Sequence, residues 1–305
     1  MKNFIGEIKK NYPLYVMVLP GVILFLLFNY LPMAGIQVAF RHFNFREGLF
    51  RSEWVGFENF RFFLTSPRVA RVVWNTFVLN ISFIVVHTVL QIAGALMLNE
   101  LRTRWFKKLT QSLTFLPYFV SWIIVSVFVY NLLNFEYGAV NNLLVSVGLE
   151  PVAFYRRPEF WPLILILVDS WKWIGFGMII YMATLSGISP EYYEAATIDG
   201  ASRWQQTWRI TIPLLIPTVS ILSLLALGRV LNADFGMFYG IIGDNSVLFP
   251  TTDVVDTFVF RALRVLGDIG MASAVGFLQS IVGFLMVLGS NLVARRLNPE
   301  GALFK

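Results

Sequence analysis

Six long apolar runs separated by short polar stretches pattern this chain: residues 15–40, 72–98, 113–133, 161–185, 213–231 and 272–294. A helix needs about 20 apolar residues to cross a hydrocarbon core of about 30 Å, and each run is about that long. None shows the strict alternation of a membrane barrel strand. Lipid offers no partner for a free peptide group, so continuous apolar runs of this length must be helices. No repeat with a period of 20–50 residues is visible. The pattern predicts an all-α polytopic membrane protein with six transmembrane helices. The first run is too long for a signal peptide and lacks a small-residue cleavage site. It reads as an uncleaved span, bent near Pro20 or Pro32. Between the first two runs, Trp54, Phe57, Phe60 and Phe63 recur at helical spacing, as in an interfacial link.

Composition agrees with this reading. Of 305 residues, 57% are hydrophobic and 14% charged, and the mean hydropathy is +0.67. Soluble domains carry nearer a quarter charged residues. The expected organisation is a polar segment over 1–14, a membrane domain over 15–294 and a polar tail over 295–305, both ends being cytoplasmic by the resemblance described below. The net charge of +6 fits juxtamembrane lysines and arginines; no basic soluble module is present to bind nucleic acid. With no cysteine in the chain, redox compartment cannot be read. Counting basic residues with the N-terminus inside gives twelve against ten, which does not decide orientation. The dense cluster Arg102, Arg104, Lys107 and Lys108, set between two helix ends, favours that side as cytoplasmic.

The longest organised polar stretch is 189–212. Ser189 suits an N-cap and Pro190 the first helical position. Glu191 and Glu194 fall near the helix start, where carboxylates are favoured. Gly200 can take the left-handed conformation that ends a helix. Ser202 and Gln205 form an S-x-x-Q capping box for a second short helix. Two short helices are thus expected to meet at a glycine corner. The first presents Ala195, Ala196, Glu194 and Asp199 rather than the large apolar and basic residues of a lipid-lying helix. From the residues alone, a helix that fits a protein cleft and an ordinary capped loop helix are both open.

Glu194-Ala195-Ala196, then Gly200, then Ile210-Thr211-Ile212-Pro213 resembles the EAA signature of permease subunits in ATP-binding-cassette importers. Asp199-Gly200-Ala201 extends the match; Ile212 departs mildly from the family's usual Leu. Trp171-Lys172-Trp173-Ile174-Gly175 and the tail near Asn291 look like permeases for complex carbohydrates in the maltose-type group. The resemblance covers most of the chain and implies several things together. Stretch 189–212 would be the cytoplasmic coupling helix region that docks in an ATPase subunit through Glu194, Ala195, Ala196, Asp199 and Gly200. Both termini would be cytoplasmic, in the inner membrane of a bacterium. The partners would be a second homologous permease, a dimer of ATPase subunits and an extracytoplasmic solute-binding protein. ATP and Mg would be bound by those ATPases, with no cofactor in this chain. The cargo would be an oligosaccharide.

Charge within a span marks a functional hypothesis. Asp169, Lys172 and Arg229 qualify. Asp169 and Lys172 are three residues apart, so mutual neutralisation and a functional role are both open. Asn75, Asn80, His87 and Gln91 in the second run suit interhelical hydrogen bonding. His87 has no companion at metal-ligand spacing, and no metal site is expected. By the resemblance, sugar contacts fall on the fourth and fifth spans, at Asp169, Trp173, Phe176, Ala226, Arg229, Val230 and Asn232. Aromatic rings stacking on pyranose faces, with charged and amide groups on hydroxyls, suit that cargo, although Trp173 and Phe176 also fit plain helix packing. Arg229, expected about four turns into the fifth span, needs a counter-charge: Asp169, or a carboxylate on an acidic, uronate-bearing sugar. No catalytic constellation and no P-loop appear, so ATP hydrolysis is expected elsewhere; Gly175-Phe176-Gly177 is explained by helix packing. An ion-coupled secondary transporter using Asp169 and Arg229 is the alternative function. In the last run, Ala272, Gly276 and Ser280 form a small-residue stripe for close helix approach, within the chain or with a second permease.

Overall fold

A computed structural model describes residues 10–297, apart from the side chains at 62–64, 266, 294 and 297. Most of the segments expected over 1–14 and 295–305, and the side chain of Phe63, lie outside the described residues. The helices are α1 (Tyr12–Phe25), α2 (Gly48–Arg51), α3 (Glu58–Thr65), α4 (Pro67–Glu100), α5 (Arg104–Phe115) and α6 (Trp122–Leu133). They continue with α7 (Ala139–Ser146), α8 (Trp161–Ser186), α9 (Pro190–Ile198), α10 (Arg203–Gln206) and α11 (Ile212–Leu227). The last are α12 (Phe235–Ile242), α13 (Phe249–Thr252), α14 (Val255–Leu266) and α15 (Ile269–Leu297). A two-residue antiparallel pair, β1 (Arg41–His42) with β2 (Glu53–Trp54), is the one strand pairing among the described residues. Five helical stretches are long and apolar enough to cross a membrane, and α5 with α6 makes a sixth if that bent pair counts as one span.

Residues 10–66 with 262–278 form one compact unit. α1 passes into a π turn at Leu26–Tyr30 and a 3-10 stretch at Leu31–Phe40. Pro32 stands at the start of that stretch, whereas Pro20 sits inside α1 without breaking it. Phe40 gathers Trp54, Phe57, Phe60 and Phe277 within 5.3–5.6 Å between ring centroids. Asn59 donates to the carbonyls of Ala39 and Arg41, both at 2.9 Å. A Cβ on Gly270 would lie 2.8 Å from the Asn59 amide nitrogen, so that position admits little more than glycine. A Cβ on Gly276, by contrast, would meet nothing within 4 Å among the described residues.

Residues 67–261 with 279–297 form the second unit. One apolar cluster unites Leu79 and Phe83 of α4, Val125 and Val129 of α6, Trp161 and Leu165 of α8, and Met237, Phe238 and Ile241 of α12. A second joins Ala95 and Leu98 of α4, Met178, Tyr181 and Leu185 of α8, and Leu215 of α11. Lipid tails are as apolar as these side chains, so the clusters hold by close packing rather than by escape from water. Glycines set that closeness. A Cβ on Gly175 would lie 2.1 Å from the Thr114 carbonyl oxygen, and one on Gly177 would lie 2.0 Å from the Gln91 amide. A Cβ on Gly283 of α15 would lie 2.3 Å from the Gly228 carbonyl oxygen. Polar side chains of α4 then fix its neighbours. Asn75 donates to the carbonyls of Pro250 and Asp253, Asn80 to that of Val230 at 2.9 Å, and Gln91 to that of Trp173 at 3.2 Å.

Two expected spans differ from their apolar runs. The third begins at Arg104, ahead of its run, and bends by 98° between Phe119 and Trp122. Pro117 cannot donate into the preceding turn, and the chain tightens to 3-10 over Leu116–Phe119. Ser121 then caps a new helix by accepting from the Ile124 N–H. The fifth helix ends at Leu227, not at 231. Beyond it residues 228–234 turn irregularly, because Gly228 is pressed against α15 and the freed carbonyls find side-chain donors.

Candidate functional site

The polar stretch between α8 and α11 folds as its cap residues dictate. The Ser189 hydroxyl accepts from the Glu191 N–H, and α9 runs to Ile198. Gly200 adopts φ +79° and reverses the chain. The Ala201 N–H then donates to the Ala196 carbonyl at 2.8 Å. That bond closes the helix end. Ser202 and Gln205 form the capping box in both directions: the Ser202 N–H donates to the Gln205 side chain at 2.7 Å, and the Gln205 N–H to the Ser202 hydroxyl at 3.3 Å. Behind the corner Gln206 donates to the Thr197 hydroxyl at 2.9 Å, and the Tyr193 and Thr211 hydroxyls are 3.0 Å apart. These bonds tie the corner to the base of α11. Glu194, Ala195, Asp199 and Gly200 stay exposed and Ala196 is half-buried. A cavity of about 330 Å³ opens beside them, lined among others by Ala196, Asp199, Gly200, Gln205 and Arg209. The stretch is therefore a rigid knuckle with an open recess and an exposed apolar tip at Ile198.

The charged residues within the spans are arranged differently from expectation. Asp169 and Lys172 are both buried but do not pair. His87 Nε2 of α4 stands 3.0 Å from Asp169 Oδ2. Lys172 instead points its ammonium at the bend of the third span. Its Nζ donates to the carbonyls of Pro117 at 3.3 Å, Tyr118 at 3.0 Å and Val120. A helix broken inside a membrane leaves carbonyls that lipid cannot satisfy, and a cation at a helix C-terminus meets that need. Three peptide oxygens outcompete one carboxylate on the same helix because the bend delivers them together. Lys172 Nζ also lies 5.2 Å from the Trp122 ring centroid, and Trp122 Nε1 donates to Asp234 Oδ2 at 2.6 Å. Asp234 in turn caps α12 through Oδ1. One network thus fixes α8, the bend and α12 against each other. Its sequence signal was Leu116-Pro117 inside an apolar run with Ser121 just after it.

Arg229 does not lie four turns into a helix. It sits in the turn that follows α11, exposed, and no carboxylate is within ion-pair distance among the described residues. The expected partner Asp169 is engaged by His87. Val230 is buried, Asn232 is exposed, and Ala226 lies in the last turn of α11. The turn is held by side chains the sequence reading did not assign to it. Asn80 binds the Val230 carbonyl, Gln279 donates to the Leu231 carbonyl at 2.7 Å, and Asp256 Oδ2 accepts from the Ala233 N–H at 2.7 Å. Burial raises the Asp256 carboxyl above its ordinary value, and that N–H bond holds it partly down.

Along α4, Asn80, His87 and Gln91 share one stripe and mark the levels of the opposing residues. Asn80 touches the Val230 carbonyl and Gln91 the Trp173 carbonyl. At a rise of about 1.5 Å per residue, those two positions on α4 are separated by about 16 Å. Trp173 and Phe176 therefore stand well apart in depth from Val230 and its neighbour Arg229, with Asp169 between. The residues expected to contact sugar thus fall at two levels rather than one. Phe176, 38% exposed, stacks on Tyr118 with 4.9 Å between centroids, and Trp173 meets Tyr118 edge-on at 5.3 Å. Among the described residues no cluster of three metal-ligating side chains occurs.

The fold is a bundle of membrane-crossing helices, one of them broken over a buried lysine, with a capped knuckle between two spans. Residues 91–299 match the family described as the binding-protein-dependent transport system inner membrane component, and the chain belongs to that family. It is 36% identical over 288 residues, 94% of its length, to a Bacillus subtilis (strain 168) relative, covering 89% of it. That relative is the polygalacturonan/rhamnogalacturonan transport system permease protein YteP. Among solved structures it resembles a bacterial ABC transporter involved in the import of the acidic polysaccharide alginate. The TM-score is 0.87 at 34% identity, covering 97% of this chain and 99% of that one. It matches equally, at TM-score 0.87 and 34% identity over 96% and 97% of the two chains, a bacterial alginate ABC transporter in complex with alginate pentasaccharide-bound periplasmic protein.

Proposed function

We propose that this chain is the permease subunit of an ATP-driven importer that passes acidic, uronate-bearing oligosaccharides across a bacterial inner membrane. The observation that carries the acidic cargo is Arg229: an exposed guanidinium in the irregular turn after α11, with no carboxylate of the described residues to answer it. A guanidinium holds a carboxylate by two parallel hydrogen bonds, which a neutral sugar cannot offer. The named substrates of YteP and of the alginate importer are acidic polysaccharides, which supports the same reading. Family membership favours ATP-driven transport over ion coupling, and the His87–Asp169 contact removes Asp169 from the pairing that a gating-charge scheme would use.

In this proposal the knuckle at 189–212 faces the cytoplasm and docks in an ATPase subunit through Glu194, Ala195, Ala196, Asp199 and Gly200. A second permease completes the pore, and a solute-binding protein delivers the sugar from outside. Asp169, Trp173, Phe176, Ala226, Arg229, Val230 and Asn232 line the path. ATP and Mg stay in the ATPase subunits, and closure of those subunits drives the knuckles together and switches access.

The test uses the assembled importer in proteoliposomes with ATP inside. Trigalacturonate uptake is expected to fall at least tenfold in Arg229→Gln, while any maltotriose uptake is unchanged. Equal loss of both sugars, or unimpaired trigalacturonate uptake, would refute the role of Arg229 in reading the carboxylate.

A further inference from the structure

The foot of α5 carries charge that the fold leaves unanswered. Arg102, Arg104, Lys107 and Lys108 crowd together, and no acidic residue occurs from 101 to 135. The preceding carboxylate, Glu100, is engaged by Arg203 at 3.4 Å. None of the four cations is within ion-pair distance of a carboxylate among the described residues. Lys107 is half-buried and the other three are exposed.

The same helix carries an apolar stripe. Trp105, Leu109, Leu113 and Leu116 recur at intervals of four, four and three, and all are exposed. Side chains so spaced share one helix face. The stripe rises about 16 Å at about 1.5 Å per residue, about half of a hydrocarbon core of about 30 Å. It is as long as one leaflet's apolar layer is deep. Packing sets its level. α5 runs antiparallel to α8: Thr114 lies against Gly175, while Pro117 and Tyr118 meet Lys172, farther from the C-terminal end of α8. Arg104 therefore comes back to the level of Ser186, where α8 gives way to the knuckle. Leu101 shares a cluster with Leu185 and Ile188, which agrees with that level. Trp105 stands at the base of the stripe, where tryptophan favours the boundary between hydrocarbon and headgroups.

We propose that the foot of α5 binds an anionic phospholipid of the leaflet on the knuckle's side. The acyl chains lie along Trp105, Leu109, Leu113 and Leu116. The phosphate meets Arg104 and Lys108, which are one turn apart on either side of Trp105 in sequence, with Arg102 close by in the chain. A zwitterionic headgroup brings its own cation and would leave that charge unanswered. Lipid rather than protein is the occupant because cations and apolar side chains are stacked along the helix at headgroup and acyl depth. The site is independent of the cargo.

The native chain has no cysteine, so Ser112→Cys, exposed one turn beyond Lys108, takes a single fluorophore. The labelled full chain is placed in nanodiscs of phosphatidylcholine with a fixed share of phosphatidylglycerol. One lipid or the other carries brominated acyl chains, which quench the label on contact. Quenching is expected to show phosphatidylglycerol favoured about tenfold over its share of the bilayer, since one basic side chain at an anionic surface is worth about a factor of five. Arg104→Gln combined with Lys108→Gln should bring that preference close to parity. Salt at about 1 M should do the same to the parent, because it cuts the screening length to about 3 Å. Arg156→Gln combined with Arg157→Gln, exposed just before the opposite end of α8, should leave the preference as it was. Parity in the parent overturns the proposal, as does a preference that survives the substitutions at 104 and 108. Equal loss in the 156 and 157 pair shows a general charge effect and overturns the site. A label that neither lipid quenches shows the face covered by protein and overturns the choice of occupant. Should the variant at 104 and 108 fail to insert, the salt dependence of the parent decides.

Discussion

Replacing Lys172 with methionine tests whether the broken third span depends on one cation. Methionine matches the length and flexibility of the lysine stem, so packing along α8 is largely kept. What is lost is the ammonium that serves the carbonyls of Pro117, Tyr118 and Val120 and lies over the Trp122 ring. Leaving one buried acceptor unsatisfied costs about 1–3 kcal/mol. The elbow can partly relax and admit water, so the net loss is set at about 3–5 kcal/mol, toward the lower end of the sum for three abandoned acceptors. At about 2–4 °C per kcal/mol, thermal unfolding should shift down on the order of 10 °C. Intrinsic tryptophan fluorescence follows it, with Trp122 and Trp173 both near the change. Lys172→Arg, which keeps the charge and adds donors, should lose less than half as much. Asp169→Asn should add independently to Lys172→Met, because His87 rather than Lys172 is the aspartate's neighbour. A methionine variant whose melting temperature matches the parent's would refute the clamp, and strong non-additivity with Asp169→Asn would restore the lysine–aspartate pair.

Three further outcomes follow from the same geometry. Gly200 stands at φ +79° with open space around it, so Gly200→Val acts by backbone strain rather than by collision. That strain should cost about 1–2 kcal/mol. The variant should insert in the membrane but lose substrate-stimulated ATP hydrolysis; normal stimulation in the assembled complex would dismiss docking at this corner. A cysteine at Ser202 should react with an impermeant thiol reagent only from the cytoplasm, and one at exposed Ser246 only from outside; the reverse would overturn the orientation. Gly177→Ala should displace the Gln91 amide, which a Cβ would approach to 2.0 Å. Overpacking of this kind should lower stability by about 1–3 kcal/mol. Gln91→Ala should rescue most of that loss, and simple additivity of the two would show that the contact is unimportant.

Much of this protein was determined locally, and that much the sequence displayed. Length and apolarity alone force helices in lipid, so the number of spans and their approximate places were legible. The knuckle was legible in detail because caps are local: Ser189, Gly200, Ser202 and Gln205 each act on residues within a few positions of themselves. The polar stripe of α4 could be recognised as interhelical glue, though not which backbone each side chain would reach. The tertiary structure decided the rest. Hydropathy does not register a break whose freed carbonyls are satisfied by a residue far along the chain, so the 98° elbow, signalled only by Pro117 and Ser121, and the early end of α11 did not show in the apolar pattern. Sequence spacing put Asp169 beside Lys172; packing gave Asp169 to His87, and the elbow gave Lys172 three peptide oxygens. It also left Arg229 without a carboxylate among the described residues. Partner choice among buried charges depends on which groups the fold brings within about 4 Å, and that is a property of the packed helices rather than of any one of them.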